Sequence, residues 1–177
     1  MRKLELAAAA AALALASGAL AGDAGTPAAP QAAGAAAVPG DRLADFFQRT
    51  KGITRLVPAS EVWESIHAGS KKYFVVDVRP AEDYAKGHVP GAISLPIDVL
   101  FRPASLAKLP ARGQTILLVC QSGHTESMAL GGLAALGYEP WAMRFGMIGW
   151  NAETSVKAGS PLQDGDAVHG VGGPIEK

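Results

Sequence analysis

The sequence predicts an α/β domain, a parallel β-sheet flanked by helices on both faces. Three observations carry that expectation. Short runs such as YFVV and ILLV are apolar at consecutive rather than alternate positions, as in strands buried on both faces. Helical patterns separate these runs, and strands alternating with helices build a parallel sheet. The stretch that contains them, residues 43–163, has an ordinary single-domain length.

The chain of 177 residues opens with MRK, an alanine- and leucine-rich apolar run over Leu6–Ala16, and Ala19-Leu20-Ala21. Positive charge, a short apolar core and a small-residue end are the pattern of an export signal, assigned to residues 1–21. The run is too short and too rich in alanine for a membrane span, so no stable membrane association is expected after cleavage, and the mature chain is expected in the periplasm or outside the cell. Residues 22–42 are rich in Ala, Gly and Pro and hold almost no large apolar side chain, the composition of a flexible linker.

From there the elements follow in order. Leu43, Phe46 and Phe47 share one face of a helix behind a candidate Asp41 cap. ITRLV (Ile53–Val57) is a candidate strand. Ser60 is a candidate N-cap for the helix through EVWESIHAG, stopped at Gly69. KYFVVDV is a buried strand ending near Asp77-Val78-Arg79-Pro80, GAISLP a short one, TILLVC another, and YEPWAMR a fourth with Pro140 at its start. Thr125–Gly137 reads as a helix closed by a glycine, with Gly131-Gly132 tolerated where close packing needs them. Residues 164–177 are polar and glycine-rich, and are expected to form a mobile tail.

Composition excludes some functions. Lys and Arg total 16 and so do Asp and Glu, so no basic surface points to nucleic acid. His88 has no second histidine nearby, which argues against a metal site, and is expected to satisfy backbone groups in its turn. Trp63, Trp141 and Trp150 are expected in the core or at a pocket rim.

The chemistry centres on Cys120, the one cysteine. It ends TILLVC and opens the loop Gln121-Ser122-Gly123-His124-Thr125, which runs straight into a helix. At the carboxyl end of a parallel strand, backbone N–H groups of such a loop turn toward the sulfur, and the helix N-terminus is expected to lower the thiol pKa. A lone cysteine excludes a dithiol cycle within the chain. No Arg or Lys lies in the loop, and the residue six beyond the cysteine is Glu126, an anion, which argues against phosphoryl chemistry.

Three segments together resemble the rhodanese sulfurtransferase family: the loop CQSGHT, the upstream VVDVRPAEDYAKGHVPGAISLP, and the downstream GYEPWAMRFGMIGWNAE. The resemblance covers nearly all of residues 55–160 in the right order. It implies that Cys120 forms a persulfide, and that the amides of Gln121, Ser122, Gly123, His124 and Thr125, with the Thr125 hydroxyl, hold the transferred sulfur. It further implies a ping-pong reaction from a small donor such as thiosulfate or mercaptopyruvate to a thiol, cyanide or protein acceptor, with no metal or organic cofactor. Asp77 and Arg79 are expected to support the site structurally, with Glu82 a candidate partner for Arg79. The loop has only His124 to attract a dianion, and its uncharged character resembles the mercaptopyruvate-type loops more closely. A weakly catalytic module on the same fold, carrying sulfur or docking a partner, is the alternative.

Overall fold

The computed structural model describes residues 38–111, 114–151 and 170–177. The expected signal, most of the linker and the start of the tail lie outside these residues.

The described elements are α1 (Pro39–Arg49), β1 (Leu56–Val57), α2 (Ala59–His67), β2 (Tyr73–Asp77), α3 (Ala81–Lys86), β3 (Ile93–Ser94), α4 (Ile97–Leu100), α5 (Pro103–Leu106), β4 (Thr115–Val119), α6 (His124–Ala135), β5 (Trp141–Met143) and α7 (Gly146–Trp150). The sheet has five parallel strands in the order β1-β5-β4-β2-β3. This is the expected α/β architecture, a parallel sheet covered on both faces.

Residue alternation along β4 shows how the two faces are used. Leu117 and Val119 join Val62, Val75, Met143, Met147 and Trp150 in one apolar cluster. Ile116, Leu118 and Cys120 join Val76, Leu100, Ala129 and Leu133 in the other. A strand flanked by two cores must be apolar at every position, which is why TILLV carries no alternation. Its middle place in the sheet gives it neighbours on both edges, β2 and β5.

Several boundaries depart from the sequence expectation for local reasons. Helix α1 starts at Pro39, so the last residues of the expected linker are helical and Asp41 lies in the first turn rather than at the cap. Proline at the first helical position presets the backbone. Pro58 takes the N-cap of α2, leaving Ser60 inside the helix. The strand expected over Ile53–Val57 pairs only at Leu56 and Val57, because Arg55 has a φ of 54° and breaks the extended run. Helix α6 ends as expected. Gly137, at φ +91°, donates to the Ala134 carbonyl and Tyr138 to the Leu133 carbonyl, the paired bonds of a left-handed helix stop. Gly132 is needed for packing, since a Cβ there would meet the Phe101 ring, whereas Gly131 faces open space.

The expected mobile tail needs correction over residues 170–177, which dock on the domain. Glu176 pairs with His88 in an isolated antiparallel bridge, and the Trp150 indole donates to the Pro174 carbonyl at 2.8 Å.

Candidate active site

Cys120 follows β4 directly, at the carboxyl edge where the strand ends of β2 and β5 also lie. Residues 121–123 then lead into α6, with Gly123 as N-cap at φ +101°, a backbone conformation that side chains resist. That conformation points the Gly123 N–H at the cysteine, where it donates to Sγ at 3.2 Å.

The loop is braced from behind by α7. Met147 N–H donates to the Cys120 carbonyl at 2.8 Å and Ile148 N–H to the Gln121 carbonyl at 3.1 Å. Gly146 sits so close that an added Cβ would run into the Cys120 carbonyl. The glycine in the FGMIGW segment therefore fixes how near the β5–α7 turn approaches the cysteine. Phe145 before it adopts φ 64°, rare for a bulky side chain.

Other residues singled out from the sequence fall into two groups. Ser122 and Thr125 are partly buried in the loop, and His124 is exposed at its tip. Both polar side-chain atoms of Gln121 are buried without a hydrogen-bond partner among the described residues. Asp77 and Arg79 form a buried ion pair at the end of β2: Arg79 Nη2 donates to Asp77 Oδ2 at 2.7 Å and also to the Gly87 carbonyl. Arg79 thus pairs with Asp77, not with Glu82. Asp77 lies opposite Val119 in the ladder, so the pair stands one residue below the level of Cys120. His88 satisfies backbone as expected, with Nδ1 3.0 Å from the Tyr84 carbonyl, and stacks on the Tyr84 ring. Trp150 is wholly buried and Trp63 packs edge-on against it.

Glu126 is the residue that sequence reasoning misplaced. Read as an anion that would discourage other anions, it instead folds inward beneath the loop and is 0% exposed. Its Oε2 accepts the Cys120 backbone N–H at 2.5 Å, while Oε1 is buried with no partner among the described residues. The signal was present in the spacing: Glu126 is the third residue of α6, where an acidic side chain commonly reaches back over the helix start. Here it reaches past the N-cap to the Cys120 amide.

This carboxyl sets the electrostatics of the site. Burial pushes Glu126 up to about 8, its contacts with Cys120 offset part of that, and the Asp77 charge adds to the rise. Burial also pushes the Cys120 thiol up, and the Glu126 charge pushes it further, outweighing the Ser122 and Gly123 amides that favour the thiolate. The expected lowering by the helix N-terminus is therefore overturned. Cys120 is 2% exposed, and burial is the largest cause of the rise.

No group of three or more His, Cys, Asp and Glu side chains among the described residues could hold a metal ion. No described helix is long and apolar enough to cross a membrane.

A five-stranded parallel sheet whose middle strand delivers a cysteine into a glycine-capped helix start defines the class. The Rhodanese-like domain model matches residues 58–153, and the chain belongs to that family. The chain is 32% identical over 81 residues to the adenylyltransferase and sulfurtransferase UBA4 of Candida albicans, covering 43% of this chain and 18% of that protein. It thus spans about a fifth of the length of that curated relative. Among solved structures, the BH2092 protein of Bacillus halodurans superposes with a TM-score of 0.51 at 23% identity, covering 59% of this chain and 77% of that one. The rhodanese-related protein of Thermoplasma volcanium gives 0.46 at 26% identity, covering 52% and 86%.

Proposed function

We propose that the protein is a sulfurtransferase that carries sulfane sulfur as a persulfide on Cys120. The observation that supports this reading most directly is the Gly123 N–H held 3.2 Å from Sγ at the start of α6. In the first half-reaction the Cys120 thiolate attacks the donor's outer sulfur. With thiosulfate, the S–S bond breaks and its electron pair leaves on sulfite. With mercaptopyruvate, the C–S bond breaks and the carbon takes up a proton to give pyruvate. In the second, an acceptor thiol, cyanide or acceptor protein attacks the outer sulfur and restores the thiolate. Amides of the 121–125 loop stabilise the outer sulfur, and the Asp77–Arg79 pair keeps the neighbouring strand end in place. The reaction so written uses no metal or organic cofactor, and the charged, apolar and small-residue pattern of residues 1–21 supports a periplasmic or secreted location for it.

A module that carries sulfur or docks a partner with little turnover is the second reading. The buried Cys120 with its raised thiol favours it. Intact mass separates the two. Exposure to thiosulfate, and separately to mercaptopyruvate, should add one sulfur atom to the wild-type chain and none to Cys120→Ser, and cyanide should remove it. Folded wild-type protein that gains no sulfur from either donor would leave the docking module standing.

A further inference from the structure

The cysteine loop carries no arginine or lysine, yet the small donors written above are anions. Two arginines follow the strands on either side of it. Arg79, after β2, is engaged by Asp77 and by the Gly87 carbonyl. Arg144, after β5, is exposed and takes part in no ion pair among the described residues. Its guanidinium carbon lies 4.8 Å from the centre of the Phe145 ring.

The register brings Arg144 to the cysteine. Cys120 and Arg144 each stand two residues past Leu118↔Ala142, the last rung pairing β4 with β5, and neighbouring strands run about 5 Å apart. The next two residues border the loop. A Cβ on Gly123 would lie 3.8 Å from the Phe145 nitrogen, and one on Gly146 would run into the Cys120 carbonyl. Phe145 therefore touches the loop with its backbone and carries the guanidinium on its ring.

Arg144 also lines a recess of about 210 Å³, with Pro58, Ser60, Phe145 and Val171 among its walls. Arg144 and Ser60 supply the only polar side chains of that lining. A cation set among apolar walls in a concave site is less screened than one on an open surface. The opposite flank, past β2 and β3, has a recess lined by Pro80, Ile97 and two exposed acids, Glu82 and Asp98. The carboxyl edge of the sheet is thus acidic on the β3 side and basic on the β5 side, and an incoming anion is drawn to the latter.

We propose that Arg144 is a specificity-determining residue, forming with Ser60 a subsite for the oxyanion group of the small sulfur donor while the donor's sulfur meets Cys120. Thiosulfate and mercaptopyruvate share that oxyanion chemistry. The role in transfer rests on the persulfide reading above, whereas anion binding is a property of the free protein.

The test begins with the Cys120→Ser chain, which cannot take up sulfur. Thiosulfate, and separately mercaptopyruvate, is titrated while the amide resonances of Ser60, Arg144 and Phe145 are followed. At least one donor should shift them at low salt, and adding Arg144→Gln should weaken that binding by about tenfold, with Arg144→Lys restoring part of it. The donor that shifts them names the source. If neither donor moves these resonances, or if Arg144→Gln leaves the titration unchanged, the subsite is refuted. On the free Cys120 thiol, iodoacetate and iodoacetamide differ in charge but little in size. Arg144→Gln should slow iodoacetate at low salt and leave iodoacetamide unchanged; an equal change for both would mean that Arg144 only holds the loop in shape. Sulfur uptake by the wild-type chain, read by mass, reports on the persulfide separately, so the two readings can fail independently.

Discussion

Glu126 links the chemistry of the loop to the stability of the fold. Its carboxyl rises from an ordinary 4.5 to about 8 in the folded chain, with burial as the main cause. The native state therefore holds this proton more tightly than the unfolded state does. Between about pH 4.5 and about pH 8 the native chain binds more protons, so stability falls as pH rises through that window. The contribution is fully present below the unfolded value and is lost as pH climbs through the folded one. Urea midpoints of wild type and Glu126→Gln across this range should diverge, with the variant flatter and relatively more stable at the alkaline end. Parallel curves would show that Glu126 is not held protonated. The position of the cysteine could be read from the sequence because an apolar run ending in Cys and a small-residue loop has few placements on a parallel sheet. The inward turn of Glu126 could not. A glutamate in the first turn of a helix faces solvent as readily as it folds back, and only the closed loop decides. The sign of the thiol shift depended on the same fact, since the dipole argument took no account of burial.

At the level of elements, two glycines differ in what they do: Gly146 in the turn before α7 and Gly131 inside α6. Gly146, at φ +53°, lies against the Cys120 carbonyl and leaves no room for a side chain. Gly146→Ala must both strain the backbone and push the turn off the loop, a cost of about 1–3 kcal/mol for the strain alone. Gly131, by contrast, has nothing within 4 Å of a Cβ in the middle of α6. Gly131→Ala should stabilise the chain by about 1 kcal/mol through helix propensity. Urea denaturation checks both, and the alkylation rate of Cys120 should change only in Gly146→Ala. Equal effects of the two substitutions would mean that the turn does not hold the loop. Strands were legible in proportion to their neighbours. β2 and β4 pair over all their residues, whereas β1 and β3, at the edges, pair over two each. Edge pairing depends on partners distant in sequence, and Arg55 shows how one residue can shorten it. Helices α4 and α5, four residues each, are too short to complete a hydrophobic repeat and so left no periodic signal.

Across the whole molecule, the far end of the chain closes the side of the domain that carries the braces of the site. Composition alone made residues 164–177 look mobile, because glycine, proline and polar residues bury little surface. Over residues 170–177 those same residue types make the docking close. A Cβ at Gly173 would collide with the Trp150 indole, and Gly173 N–H donates to the Trp150 carbonyl at 3.0 Å. Val171 N–H donates to the Gly149 carbonyl, Asn151 to the Gly173 carbonyl, and Ile175 packs on the cluster that holds Trp150 and Met147. On the other side Glu176 exchanges backbone bonds with His88 and accepts the Gly91 N–H. The segment thus ties α7, which braces the cysteine loop, to the turn before β3. A chain ending at residue 169 should lose roughly 3 kcal/mol, since each such bond contributes about 1 kcal/mol net and the exposed ones regain water. Trp150, now 0% exposed, should meet solvent, and the tryptophan emission should shift to the red. With α7 loosened, Met147 and Ile148 no longer hold the Cys120 and Gln121 carbonyls firmly, so Cys120 should alkylate faster than in the full chain. Unchanged emission, stability and alkylation in the shortened chain would show that the domain stands without this closure.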